Sequence, residues 1–114
     1  MLVSRLSRKS GLAMAYDLQF AESAIRDYET TLQYLSELSD GPSAATSFAD
    51  EFKRQYELVV SMPEVYAVSR LEELAIQEIR VAPVNNYVML YTFAGQTVYI
   101  LHIYHQRQDY GKLV

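Results

Sequence analysis

The chain has 114 residues, 50% of them hydrophobic and 21% charged, which suits one domain that buries its own core and excludes a disordered chain. No apolar run reaches the roughly 20 residues that span a bilayer, and the lack of cysteine excludes disulfides and thiolate metal sites, so the expected compartment is a reducing cytoplasm. The formal net charge of −4 has the wrong sign for a protein that grips phosphate backbones through a surplus of Lys and Arg.

Arg5, Arg8 and Lys9 stand in Met1 to Ala15 with no acid among them, so from Met14 onward 7 basic residues face 14 acidic ones. This opening segment lacks the apolar stretch of a secretion signal. Two readings stay open for it. Residues 1–15 are an extension upstream of a start at Met14, or they are a basic arm that binds something. The expected domain covers residues 16–114.

Tyr16 to Phe20 alternates apolar and polar side chains with the period of a half-buried strand. From Glu22 to Leu38, apolar residues at Ala24, Ile25, Tyr28, Leu32, Leu35 and Leu38 have the spacing of an amphipathic helix, and Ser39-Asp40-Gly41-Pro42 stops it. A second helix is predicted from Pro42 or Ser43, with Ala45, Phe48, Phe52, Tyr56, Val59 and Val60 as its buried stripe, ending at Met62-Pro63. Two helices joined by so short a link lie antiparallel and cover one side of a sheet.

The last third, Ile79 to Tyr110, reads as three strands separated by Pro83-Val84-Asn85-Asn86 and Ala94-Gly95. The predicted fold is therefore α+β, in the order β-α-α-β-β-β, with two helices packed on one face of a mainly antiparallel four-stranded sheet. A type I turn at Phe93-Ala94 with Gly95 as a bulge sets Thr92 opposite Gln96. Val88, Leu90, Val98 and Ile100 then face the helices. Tyr87, Met89, Tyr91, Tyr99, Leu101, Ile103 and His105 form the other face, which is apolar too, and with no third helix to cover it a partner is the expected cover.

His102 and His105 lie three apart in a strand, so they point to opposite faces and do not chelate one metal without a bulge. His102 reads as a buried, hydrogen-bonded histidine. His105 stands at a strand end beside Arg107 and Tyr110, where an imidazole titrating near neutrality suits proton transfer; the alternative is an exposed terminal histidine. Arg80 and Arg107 suit bidentate phosphate contacts, against a surface ion pair with Glu78 or Asp109. Tyr87, Tyr104 and Tyr110 suit base stacking or phenolic proton transfer, against plain packing. No glycine-rich phosphate loop, nucleophile elbow or zinc spacing is present, so no cofactor and no metal is expected.

Arg80, Asn86-Tyr87, Tyr91 and a hydrophobic strand ending in His105-Gln106-Arg107-Gln108-Asp109-Tyr110 resemble the toxin half of the RelE/ParE superfamily. The resemblance extends back to Tyr16-Asp17-Leu18-Gln19-Phe20 and covers about residues 16 to 110. It implies the toxin of a bacterial type II toxin–antitoxin pair of the plasmid-stabilisation kind. One branch cuts mRNA on the ribosome without a metal; the other inhibits DNA gyrase and cuts nothing. A third reading is a degenerate member that only binds protein.

Carried onto this chain, the cleaving branch implies Arg80, His105 and Tyr110 as catalytic residues, with Arg107, Tyr104 and Tyr87 contacting substrate or target. Only Lys53 and Lys112 supply lysine in the domain, fewer than a ribosome-bound member uses, and the His-x-Arg-x-Asp-Tyr ending resembles the gyrase-directed and plasmid-stabilisation members more closely. Met89, Tyr91, Leu101 and Ile103 are the expected contacts for a cognate antitoxin, through the face with no cover of its own.

Overall fold

The computed structural model describes residues 16–113; the readings made for residues 1–15 lie outside them. β1 (Asp17–Phe20) is followed by α1 (Glu22–Ser36), α2 (Gly41–Ser61), the single turn α3 (Glu72–Ala75), then β2 (Arg80–Val84), β3 (Tyr87–Ala94) and β4 (Thr97–His105). The sheet order is β1-β4-β3-β2. β1 runs parallel to β4 and the other pairs are antiparallel, so the α+β fold and its two-helix layer are as predicted, on a mixed sheet.

The helix pattern places Ala24 of α1, and Phe48, Phe52, Val59 and Val60 of α2, against Leu18, Ala82, Val84, Val98 and Ile100 of the sheet. Each large side chain withdrawn from water contributes about 1.5–3 kcal/mol, so this layer dominates the stability. Gly41 begins α2 where a Cβ would run into the carbonyl oxygen of Ser36. Glycine therefore lets α2 fold back after only a four-residue link.

The hairpin register departs from the prediction. Ala94 pairs with Thr97 and Tyr91 with Ile100, so the loop is two residues, with Gly95 at φ +59°. A glycine with positive φ at the first central position suits a tight hairpin turn whose twist matches that of the strands. Thr92 lies opposite Tyr99 and not Gln96, and this odd shift of three residues turns β3 over relative to the expected face. Met89 and Tyr91 lie under the helices, whereas Val88 and Leu90 lie on the opposite side.

A second irregularity follows along β4. Leu90 pairs with His102 and Tyr91 with Ile100, so Leu101 has no partner on β3 and forms a bulge. The bulge reverses the parity of β4: Val98 and Ile100 face the helices before it, and Ile103 does so after it.

The opposite face is not left to a partner alone. The segment between α2 and β2 folds back beneath it, with Leu74 of α3 and Ile79 joining Val88, Leu90 and Leu101 in a second apolar cluster. Side chains hold this segment in place. Tyr91 donates its hydroxyl to the Pro63 carbonyl at 2.7 Å, and Tyr66 donates to Oε1 of the buried Gln55 at 2.7 Å. Ser69 N–H donates to the Ile79 carbonyl at 2.9 Å.

Candidate functional site

Arg80 opens β2 and pairs with Tyr91; His105 closes β4 and pairs with Tyr87. Tyr87 and Tyr91 are four residues apart on one strand, which separates the two candidates by about 13 Å of backbone. The expected convergence of Arg80, His105, Arg107 and Tyr110 at one end of the sheet is therefore corrected. Arg80 belongs to the far end, where its Nη1 donates to the Tyr66 carbonyl at 2.6 Å and its guanidinium lies 5.4 Å from the centre of the Phe93 ring. Through Nη1 it ties the returning segment to the sheet.

His105 begins a turn. Its N–H donates to Oε1 of Gln108 at 2.8 Å, and its Nδ1 accepts the Arg107 N–H at 3.1 Å. A neutral imidazole that accepts at Nδ1 carries its proton on Nε2, so the remaining nitrogen is a donor and not a base. Its ring meets Tyr87 edge-on at 5.2 Å, and Tyr87 meets Phe48 of α2 at the same distance. Tyr87 is thus packed between strand and helix, and burial, then the neighbouring Tyr34, pushes its phenol above the ordinary range.

Tyr104 and Tyr110 lie on the other side of the sheet. Their rings are parallel, 6.4 Å apart, and Tyr104 stacks in turn on His102 at 5.0 Å. Burial, then the charge of Asp27, raises the Tyr104 phenol. Phenols raised in this way remain protonated at neutral pH and serve poorly as bases. Arg107 is exposed.

His102, expected to be buried on the helix side, is half-exposed on the opposite one. Its Nδ1 lies 3.3 Å from the Asp27 carboxylate and 3.0 Å from the Tyr104 hydroxyl. This Asp27–His102–Tyr104 chain was missed in the sequence because Asp27 and His102 are 75 residues apart and because the bulge at Leu101 changes the direction of His102.

Met89, Tyr91 and Ile103 were expected on an exposed face and are instead 0%, 0% and 3% exposed beneath the helices. Leu101 is on the expected side, 6% exposed against the cluster of Leu74 and Ile79. The exposure that made these four residues partner contacts is therefore absent. Open apolar surface lies between the helices instead. Phe20, Ile25, Tyr28, Phe52 and Tyr56 line a groove of about 420 Å³, with Asp50 and Lys53 among its lining residues.

Among the described residues no cluster of three or more His, Asp or Glu side chains forms a metal site, and no helix is long and apolar enough to cross a membrane. The arrangement can bind through aromatic and apolar surface. Among the described residues, Arg80 and His105 stand at opposite ends of the sheet.

Residues 18–110 match the model of the ParE toxin of the type II toxin–antitoxin system parDE. No curated protein matches the chain. Among solved structures, a chain described as the chromosomal ParDE TA system from P. aeruginosa superposes with a TM-score of 0.64 at 16% identity, over 81% of this chain and 96% of that one. At that identity the likeness is one of fold. The family match covers most of the chain, and the chain belongs to the ParE toxin family of type II toxin–antitoxin systems.

Proposed function

We propose that this toxin acts by binding DNA gyrase and cuts no RNA, and that a cognate antitoxin holds it inactive in the cytoplasm. The observation that carries the reading is the position of Arg80. It is committed to the Tyr66 carbonyl and the Phe93 ring, about 13 Å of strand from an imidazole whose free nitrogen is a donor. Metal-independent cleavage of RNA needs an acid, a base and a cation around one phosphate. Three candidates spread over two faces and both ends of a sheet support blocking by surface contact instead. The acidic domain with its two lysines supports the same reading, since it offers little to a ribosomal or messenger phosphate.

The target contact in this reading is the exposed end of β4 and the turn after it, with Arg107, Tyr104 and Tyr110. The antitoxin contact moves from the sheet to the groove between α1 and α2, where an apolar segment of the partner would cover Phe20, Tyr28, Phe52 and Tyr56.

Induced expression in a bacterium tests this. Growth arrest with a DNA-damage response and intact transcripts, relieved by co-expression of the neighbouring gene product, is the expected result. Arrest accompanied by transcript cleavage would put the chain in the RNA-cutting branch. Normal growth would leave a binding module without toxicity.

A further inference from the structure

We propose that residues 1–13 of this chain seat in the apolar groove between α1 and α2, as a basic arm that covers it in the free protein. The groove opens onto the rings of Phe20, Tyr28, Phe52 and Tyr56 and has a volume of about 420 Å³. Its lips are acidic. On α1, Glu22 and Glu29 stand three before and four after Ile25, which lines the groove, so the three share one stripe of the helix. On α2, Asp50 and Lys53 are themselves lining residues. Glu22, Glu29 and Asp50 are exposed, and the exposed Lys53 is the one cation set among them. Arg26 lies further round α1, beyond Glu22.

The opening segment has the matching composition. It carries Arg5, Arg8 and Lys9 with no acid, and Leu2, Val3, Leu6 and Leu12 supply apolar side chains among them. Leucine-sized anchors suit the rings on the floor of the groove, and cations suit its lips, which fixes the orientation of the arm. The point of attachment is also close. Tyr16 donates its N–H to the Val60 carbonyl at 3.1 Å, and Val60 is one turn of α2 beyond Tyr56. The arm therefore joins the domain about 6 Å along the helix from the near end of the groove, and Ala49 at the other end is about 16 Å away. An extended chain covers about 3.3 Å per residue, so the stretch from Tyr16 back to Leu6 reaches roughly 33 Å and spans the whole groove.

Tethering selects this occupant over a free one. A segment held by a short flexible link has an effective concentration in the millimolar range, which a second copy of the chain does not match at ordinary protein concentrations. An antitoxin segment that uses the same groove has to displace the arm; that consequence rests on the function proposed above, and the seating of the arm does not. Its test depends on neither toxicity nor the antitoxin.

The chain has no cysteine, so Ser7→Cys in the full chain takes a single nitroxide label. Paramagnetic broadening of assigned amide NMR signals then reads where the arm lies. The signals of Ile25, Tyr28, Ala49, Phe52 and Lys53 should be lost, while those of α3 and of the turn after β4, on the other side of the sheet, are kept. Adding Leu2→Ser with Leu6→Ser, or separately Arg5→Glu with Arg8→Glu, should bring the groove signals back, and all four positions precede the core, so the fold is not at stake. Groove signals that are kept in the labelled chain, or a loss that either double variant leaves in place, overturn the proposal. So does broadening of the groove signals of an unlabelled, isotope-enriched chain mixed with the nitroxide-labelled one, which would put the arm on a second copy.

Discussion

Arg80 and His105 flank the same three-strand sheet segment from opposite ends, one paired with Tyr91 and the other with Tyr87. Arg80 and His105 therefore do not meet at one end of the sheet. The hydrogen bond from Arg80 to the Tyr66 carbonyl anchors the segment that returns from α2 to β2.

Arg80→Ala should therefore lower stability by about 1–3 kcal/mol, since it leaves a partly buried carbonyl without its charged donor. Urea unfolding measures this as a shift in midpoint at constant slope. An unchanged midpoint together with lost toxicity would return Arg80 to a catalytic role.

Tyr91 gives a pH signature. Burial raises its phenol to about 12 from an ordinary 10. A folded-state value above the unfolded one means that the stabilisation is complete below pH 10 and is lost as the pH rises through 12, by roughly 2–3 kcal/mol in total. Tyr91→Phe should flatten that alkaline loss. It should also cost about 1–2 kcal/mol at neutral pH, because the buried Pro63 carbonyl loses its donor. Denaturation curves collected between pH 8 and 12 check both effects.

How far the sequence carried the fold is clearest in β3 and β4. The helix stripes of α1 and α2 were legible because a 3.6-residue period needs only local spacing, and Phe48, Phe52, Val59 and Val60 are buried as expected. The strand faces were not. Both faces of β3 and β4 are apolar, so the alternation that normally fixes a register carried no information, and a two-residue turn at Gly95-Gln96 competed with a three-residue one on equal terms. The bulge at Leu101 has no glycine to mark it. Those two shifts moved Met89, Tyr91 and Ile103 from an expected partner surface into the core. Arg80 was misplaced for a different reason: sequence proximity to a strand start says nothing about which end of the neighbouring strands that start will meet.

Leu101→Asp separates a core role from a partner role. The side chain packs with Leu74, Ile79, Val88 and Leu90, so a carboxylate there should lower thermal stability sharply, by about 3 kcal/mol or more, even with no antitoxin present. Leu101→Met should cost less than about 1.5 kcal/mol. Thermal melts of the isolated chain decide this, and an Asp variant as stable as the parent would restore Leu101 to an exposed contact.

Gly41 tests the link between the helices. Its missing Cβ leaves room for the Ser36 carbonyl, so Gly41→Ala should force α1 and α2 apart and destabilise the chain by about 1–3 kcal/mol, whereas Gly normally yields to Ala at a gain in an open helix position. Calorimetry of the variant gives the answer directly.

In the proposed function this ParE-family chain inhibits gyrase by contact and cuts no RNA. The most direct measurement is DNA supercoiling by purified gyrase with increasing amounts of the purified chain, run beside a translating-ribosome assay on a labelled transcript. The expected result is loss of supercoiling, restored by the cognate antitoxin, with the transcript left whole. Unaffected supercoiling and a transcript cut only when His105 and Arg80 are intact would contradict it.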